Sequence, residues 1–186
     1  DSMIIDMKTL TTKAAADMEP GVSDHAAALL DDGSATGKVI LAFGKTDSSE
    51  NSKDIKMYDP ETDTYTILKS DSPLTGAKAI SIDGDVYIAG GCSKDNASTK
   101  IYKVDKGSIS VSEYASLKEG RCNFGIADIS TEKDGKITPK ILVLGGSTDE
   151  SGESPVLSSF AEVISGGKST TIELTDRNNE DSADLK

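Results

Sequence analysis

Residues 39–44 (VILAFG) form an apolar run that ends on a glycine, and the pattern returns at 85–91 (DVYIAGG) and 140–146 (KILVLGG). Apolar runs this short, bounded by turn residues, predict strands. Each copy has the same companions in the same order. A run of small or apolar residues precedes it, at 26–30, 77–82 and 124–129. Between the two lie Asp31-Asp32-Gly33, Asp83-Gly84 and Asp134-Gly135. Asp-Gly between apolar runs predicts a hairpin, because glycine supplies the positive φ of the tight turn. After the glycines come a polar loop and a third run, at 54–58, 99–104 and 160–164. A turn then leads to a fourth, at 64–68, 108–114 and 170–174, and Pro60 in the turn DPETD at 59–63 fixes φ near the bend.

Four short strands per unit predict an all-β chain. Gly44, Gly90 and Gly145 mark the repeat, at a spacing of roughly 45 to 55 residues, which is the period of a propeller blade. The units fall at residues 20–69, 70–117 and 118–175, the third lengthened by a polar insert at 147–158. No segment carries a helical stripe over three turns; 13–18 has helix formers but lies between strands and precedes Pro20. Residues 4–12 resemble 59–64, with Asp6 matching Asp59, so 1–19 reads as the last two strands of an earlier unit. Residues 176–186 are acidic and polar, and are expected to form an extended or disordered tail. The expectation is about three and a half blades in an incomplete ring, since propellers close with four to eight. An open arc exposes apolar flanks. More of a longer chain, or a second chain, is expected to cover them.

These residues resemble the kelch-repeat family. The likeness lies in Gly90-Gly91 and Gly145-Gly146, and in the stretch Met57-Tyr58-Asp59-Pro60-Glu61-Thr62-Asp63-Thr64-Tyr65. It spans nearly the whole chain, from Met3 to Thr175. Arg121, and Asp24-His25, stand where the family often has basic or polar residues. The chain departs from the pattern at Gly44-Lys45, in place of a double glycine, and at Tyr65, in place of a tryptophan. The resemblance implies a kelch-type β-propeller section that binds a protein partner through one loop face.

Composition narrows the chemistry. The chain of 186 residues carries a formal charge of −12, which disfavours nucleic acid, whose phosphates need a basic footprint. No stretch is apolar and long enough to cross a bilayer as a helix. The opening residues show no signal peptide, but the chain starts on Asp1, so secretion stays open beside a cytoplasmic location. One histidine, His25, makes no metal site, and it excludes, for this chain alone, the copper chemistry of galactose-oxidase-like kelch proteins. No phosphate cradle or nucleophile elbow is present. Asp47, Glu50, Asp149 and Glu150 lack the ordered spacing of a calcium loop. No catalytic residue, cofactor or metal is expected, and a sugar-acting enzyme would need groups from further blades.

The second-to-third and fourth-to-first connections should share one side of the fold. They are longer and more varied than the tight turns opposite, so Glu50, Lys94, Arg121 and Glu150 are the candidate partner-binding residues. Cys92 and Cys122 fall on the same side in neighbouring units, where a disulfide is geometrically open. Asn96-Ala97-Ser98 is a glycosylation acceptor sequence nearby. The leading expectation is a non-enzymatic interaction module; the alternative is a structural subunit whose open flanks pack into a larger assembly.

Overall fold

In a computed structural model that describes residues 2–94, 96–148 and 156–173, every regular element is a β-strand. The chain opens with a hairpin of β1 (Ser2–Asp6) and β2 (Thr11–Ala15). A two-residue strand, β3 (Val22–Ser23), leads into a first sheet. That sheet holds β4 (Ala26–Leu30), β5 (Lys38–Ala42), β7 (Asp54–Asp59) and β8 (Thr64–Ser70), while the short β6 (Lys45–Thr46) pairs with β3. The second sheet is β9 (Lys78–Ile82), β10 (Asp85–Ala89), β11 (Lys100–Asp105) and β12 (Ser110–Ser116). In the third, β13 (Gly125–Asp128) is followed by a small hairpin of β14 (Thr131–Lys133) and β15 (Lys136–Thr138). Then come β16 (Lys140–Leu144), β17 (Phe160–Ser165) and β18 (Lys168–Glu173). All three sheets pair their four strands antiparallel and in chain order, so the repeated all-β architecture expected from the pattern is present.

The core lies between sheets. Because successive side chains on a strand point to opposite faces, β10 serves two interfaces. Val86 and Ile88 join Leu30, Ile40, Ile55 and Phe43 in one buried cluster, and Tyr87 and Ala89 join Phe124, Ile141, Val143 and Ile164 in the other. A strand buried on both faces must read as an unbroken apolar run, which is why this element stands out in the sequence.

The end of each second strand corrects one reading. By strand register and backbone angle, the residues that correspond to Gly90-Gly91 and Gly145-Gly146 are Phe43-Gly44, not Gly44-Lys45. Phe43, Gly90 and Gly145 have φ of 62°, 63° and 61°, and Gly44, Gly91 and Gly146 have 102°, 104° and 92°. Phe43 therefore sits in a left-handed conformation that favours glycine. Its ring is buried in the first interface with Leu74 and Ala77.

The β1–β2 turn repeats that of the later hairpins. Asp6 Oδ1 accepts the amides of Lys8 and Thr9, as Asp105 Oδ1 accepts those of Gly107 and Ser108. The amides of Leu10 and Ile109, both at positive φ, donate to the carbonyls of Asp6 and Asp105. The hairpin is tied to the first sheet by the Ala16 amide, which donates to Asp63 Oδ1 at 2.8 Å. The acidic tail expected at 176–186 lies outside the described residues.

Candidate functional site

Three linkers and the loops that follow the second strands are joined at one rim. Within sheets, Thr75 exchanges backbone hydrogen bonds with Cys92, and Cys122 with Ser147, while β3 pairs with β6. Between sheets, the Gly44 amide donates to the Leu74 carbonyl and the Gly91 amide to that of Arg121, both at 2.9 Å. The Asn51 side chain reaches the Cys92 carbonyl at 3.3 Å, tying the loop of the first sheet to that of the second. Cys92 and Cys122, both buried, form a disulfide with Cα atoms 5.4 Å apart, which fastens the second sheet to the third. The two connection classes expected to share a side do so.

Of the four candidate residues, Glu50 and Lys94 are exposed, on two rim loops that the Asn51 bond holds together. Glu150 lies outside the described residues, as does Asp149. Arg121 is a correction: its side chain is wholly buried and unavailable to a partner. Its guanidinium donates to Glu162 Oε1 at 2.5 Å and to the carbonyls of Gly145 and Phe160 at 3.1 Å, and lies over the Phe160 ring. The signal that the sequence reading missed was Glu162 itself, a carboxylate within the apolar run FAEVI.

Glu162 belongs to a recurring clasp, in which the third residue of each third strand reaches back to the linker entering its own sheet. Lys56 Nζ donates to the carbonyls of Glu19 and Pro20 at 2.8 and 3.4 Å. The Tyr102 hydroxyl donates to Asp71 Oδ2 at 2.5 Å. Glu162 accepts the amides of Lys118 and Glu119 as well as Arg121. None of the three is carried by an apolar contact, so a hydrophobic pattern does not show them.

The middle clasp borders a cleft of about 310 Å³ lined in part by Ser72, Leu74, Ser93, Asn96 and Thr99. Hydrogen bonds from the Tyr102 hydroxyl, then the Ser72 amide and Lys100, hold the Asp71 carboxyl down at about 2. Burial, then the bond to Asp71, pushes the Tyr102 phenol up to about 12. A carboxylate held that low is a weak general base, and its oxygens are already occupied by Tyr102, Ser72 and Lys100. Asp71 fastens the linker. His25 Nδ1 lies 3.2 Å from the Val22 carbonyl, a local structural contact. Among the described residues no three His, Cys, Asp or Glu side chains stand together as metal ligands.

No family model matches the chain, and no curated protein sequence does. Solved structures do match, among them that of YjhT, at 14% identity and a TM-score of 0.60. The match covers 92% of this chain and 57% of YjhT, so the chain spans a little over half of that protein's length. What the two share is the fold, a succession of antiparallel sheets.

Proposed function

We propose that the three sheets and the N-terminal hairpin are about three and a half kelch-type β-propeller blades, and that their rim docks a protein partner without catalysis. The observation that carries this reading is the rim itself. Loops from separate sheets are welded by Asn51, by the Gly44 and Gly91 amides and by the disulfide, and they present Glu50 and Lys94 to solvent. Rigid scaffolds with variable loops are where recognition concentrates. The buried disulfide, with the acceptor sequence at the exposed Asn96, favours an oxidising, extracytoplasmic setting.

The test is a pull-down with Glu50→Ala, Lys94→Ala and Glu150→Ala combined. Capture should fall while thermal unfolding stays where it was. Undiminished capture by the triple variant would remove the rim as the docking face.

A second reading, a structural subunit of a larger assembly, is favoured by Leu144, Val156, Leu157 and Ile172, which the third sheet and its β16–β17 connection leave exposed. Native mass decides it: a stable monomer of 19.4 kDa would sink the idea.

A further inference from the structure

The β10–β11 loop holds both Cys92, bonded to Cys122, and the sequence Asn96-Ala97-Ser98. The chain has four other asparagines, and none has Ser or Thr two places on: Asn51, Asn123, Asn178 and Asn179 are followed at that spacing by Lys53, Gly125, Glu180 and Asp181. Asn96 is exposed. Ser93 occupies its backbone: the Ser93 amide and hydroxyl donate to the Asn96 carbonyl at 2.7 and 3.1 Å, and Ser93 Oγ accepts the Asn96 amide at 3.2 Å. Asn51 spends its side-chain Nδ2 on the Cys92 carbonyl, whereas that of Asn96 has no hydrogen bond to any described residue. A turn fastened by Ser93 thus holds an unbonded carboxamide out to solvent.

We propose that Asn96 is an N-glycosylation site and that its first sugar seats in the cleft beside it. This rests on the oxidising, extracytoplasmic setting inferred above, the setting in which both disulfides and N-linked glycans are found. The modification needs a hydroxyl two residues after the asparagine and no proline between, and Ala97 and Ser98 meet both conditions. Asn96 Nδ2 bonds to the anomeric carbon of the first N-acetylhexosamine of a lipid-linked oligosaccharide donor. The bond from that carbon to the pyrophosphate oxygen breaks, its electron pair leaves with the lipid pyrophosphate, and a base of the transferase takes one amide proton. Nothing is oxidised or reduced.

The cleft suits that sugar. Asn96 lines it together with Ser72, Leu74, Thr99 and Tyr102, and its volume of about 310 Å³ lies at the lower end of the range of about 300–1,000 Å³ that holds small ligands. The two charged groups on its wall, Asp71 and Lys100, are paired with each other at 3.1 Å, so the cleft favours a neutral polar ring over an ion. Thr99 is exposed with its hydroxyl unbonded among the described residues, which leaves it to a sugar hydroxyl. Leu74 supplies the apolar contact for the acetamide methyl.

For the test, the intact chain is expressed behind a secretory leader in animal cells, and all of it that enters the secretory pathway is analysed, retained or secreted. Peptide-N-glycosidase should lower its mass by one glycan. Asn96→Gln and Ser98→Ala should each abolish the glycan, and Ser98→Thr should keep it. Trimmed to its first sugar, the chain should show amide NMR shifts at Ser72 and Thr99 against unglycosylated chain from a bacterial periplasm, with Asp134 and Gly135 in the β14–β15 turn unmoved. A chain without glycan, or one that keeps its glycan after Asn96→Gln, overturns the site. A glycan that leaves Ser72 and Thr99 unmoved overturns its seat in the cleft. A chain that forms the disulfide and gains no glycan sinks this proposal and leaves the setting standing. The rim variants at Glu50, Lys94 and Glu150 lie outside the acceptor sequence, so failure of the docking face is told apart from failure of the site.

Discussion

Arg121 and Glu162 meet at 2.5 Å with neither side chain exposed to solvent. A charge removed from such a pair leaves its partner buried and uncompensated. Arg121→Met should lower unfolding free energy by about 3–5 kcal/mol in urea titration. Arg121→Met with Glu162→Gln should lose clearly less, because the neutral amide still accepts from Lys118 and carries no orphaned charge. A double variant as unstable as the sum of two singles would mean that the pair is not coupled.

Phe43 and Phe124 fill corresponding gaps from opposite sides. In the second interface, a Cβ on Gly90 would stand 2.7 Å from the Phe124 ring, so glycine is required there. In the first interface the ring comes from Phe43, and Ala77 stands in the place of Phe124. Phe43→Gly should cost about 3 kcal/mol, the loss of a buried ring less some relief of its backbone strain. Adding Ala77→Phe should restore at least half of that, measured by thermal unfolding.

The Asp71–Tyr102 clasp makes stability depend on pH at both extremes. Asp71 is lowered from 3.8 to about 2, so its contribution is complete above pH 4 and is lost as pH falls toward 2. Tyr102 is raised from 10.0 to about 12; above pH 10 the unfolded chain gives up a proton that the native one keeps. Stability should therefore fall between pH 10 and 12. Asp71→Asn should shallow the acid limb, with Asp105, also lowered to about 2, keeping part of it, and Tyr102→Phe should shallow the alkaline one, with Tyr58 and Tyr87, also pushed up to about 12, keeping part of that. Urea midpoints across pH would show unchanged limbs if the clasp were unimportant.

The disulfide closes a loop with a sequence separation of 30. Cys92→Ser with Cys122→Ser should cost about 2–4 kcal/mol, read from urea unfolding without reductant. The native chain should show no titratable thiol until it is unfolded and reduced.

The strand plan was legible because β10, buried on both faces, leaves an apolar run in the sequence, and Asp83-Gly84 leaves a turn beside it. Phe43 was not legible as a stand-in for glycine: a phenylalanine at the end of an apolar run looks like one more strand residue. Arg121 misled for a physical reason. A cation in a polar linker is usually solvated, and only a carboxylate some forty residues on, within an apolar strand, says otherwise. Lys56 carried the same signal in its own third strand. Partner identity leaves no such trace, because exposed residues such as Glu50 and Lys94 are free of packing constraints.

The three clasps use three different pairings: an ammonium on carbonyls, a phenol on a carboxylate, and a carboxylate on amides and a guanidinium. Each pairing joins a third strand to the linker that enters its own sheet, so strand and linker are matched to one another. Were β17 to dock on the linker meant for β11, Glu162 would face Asp71, one carboxylate against another. Were β7 to dock on the linker meant for β17, Lys56 would face Arg121, one cation against another. Sheets this similar in backbone invite strand exchange during folding, within a chain and between chains. Mismatched charge at the clasps is what makes these two exchanges unfavourable.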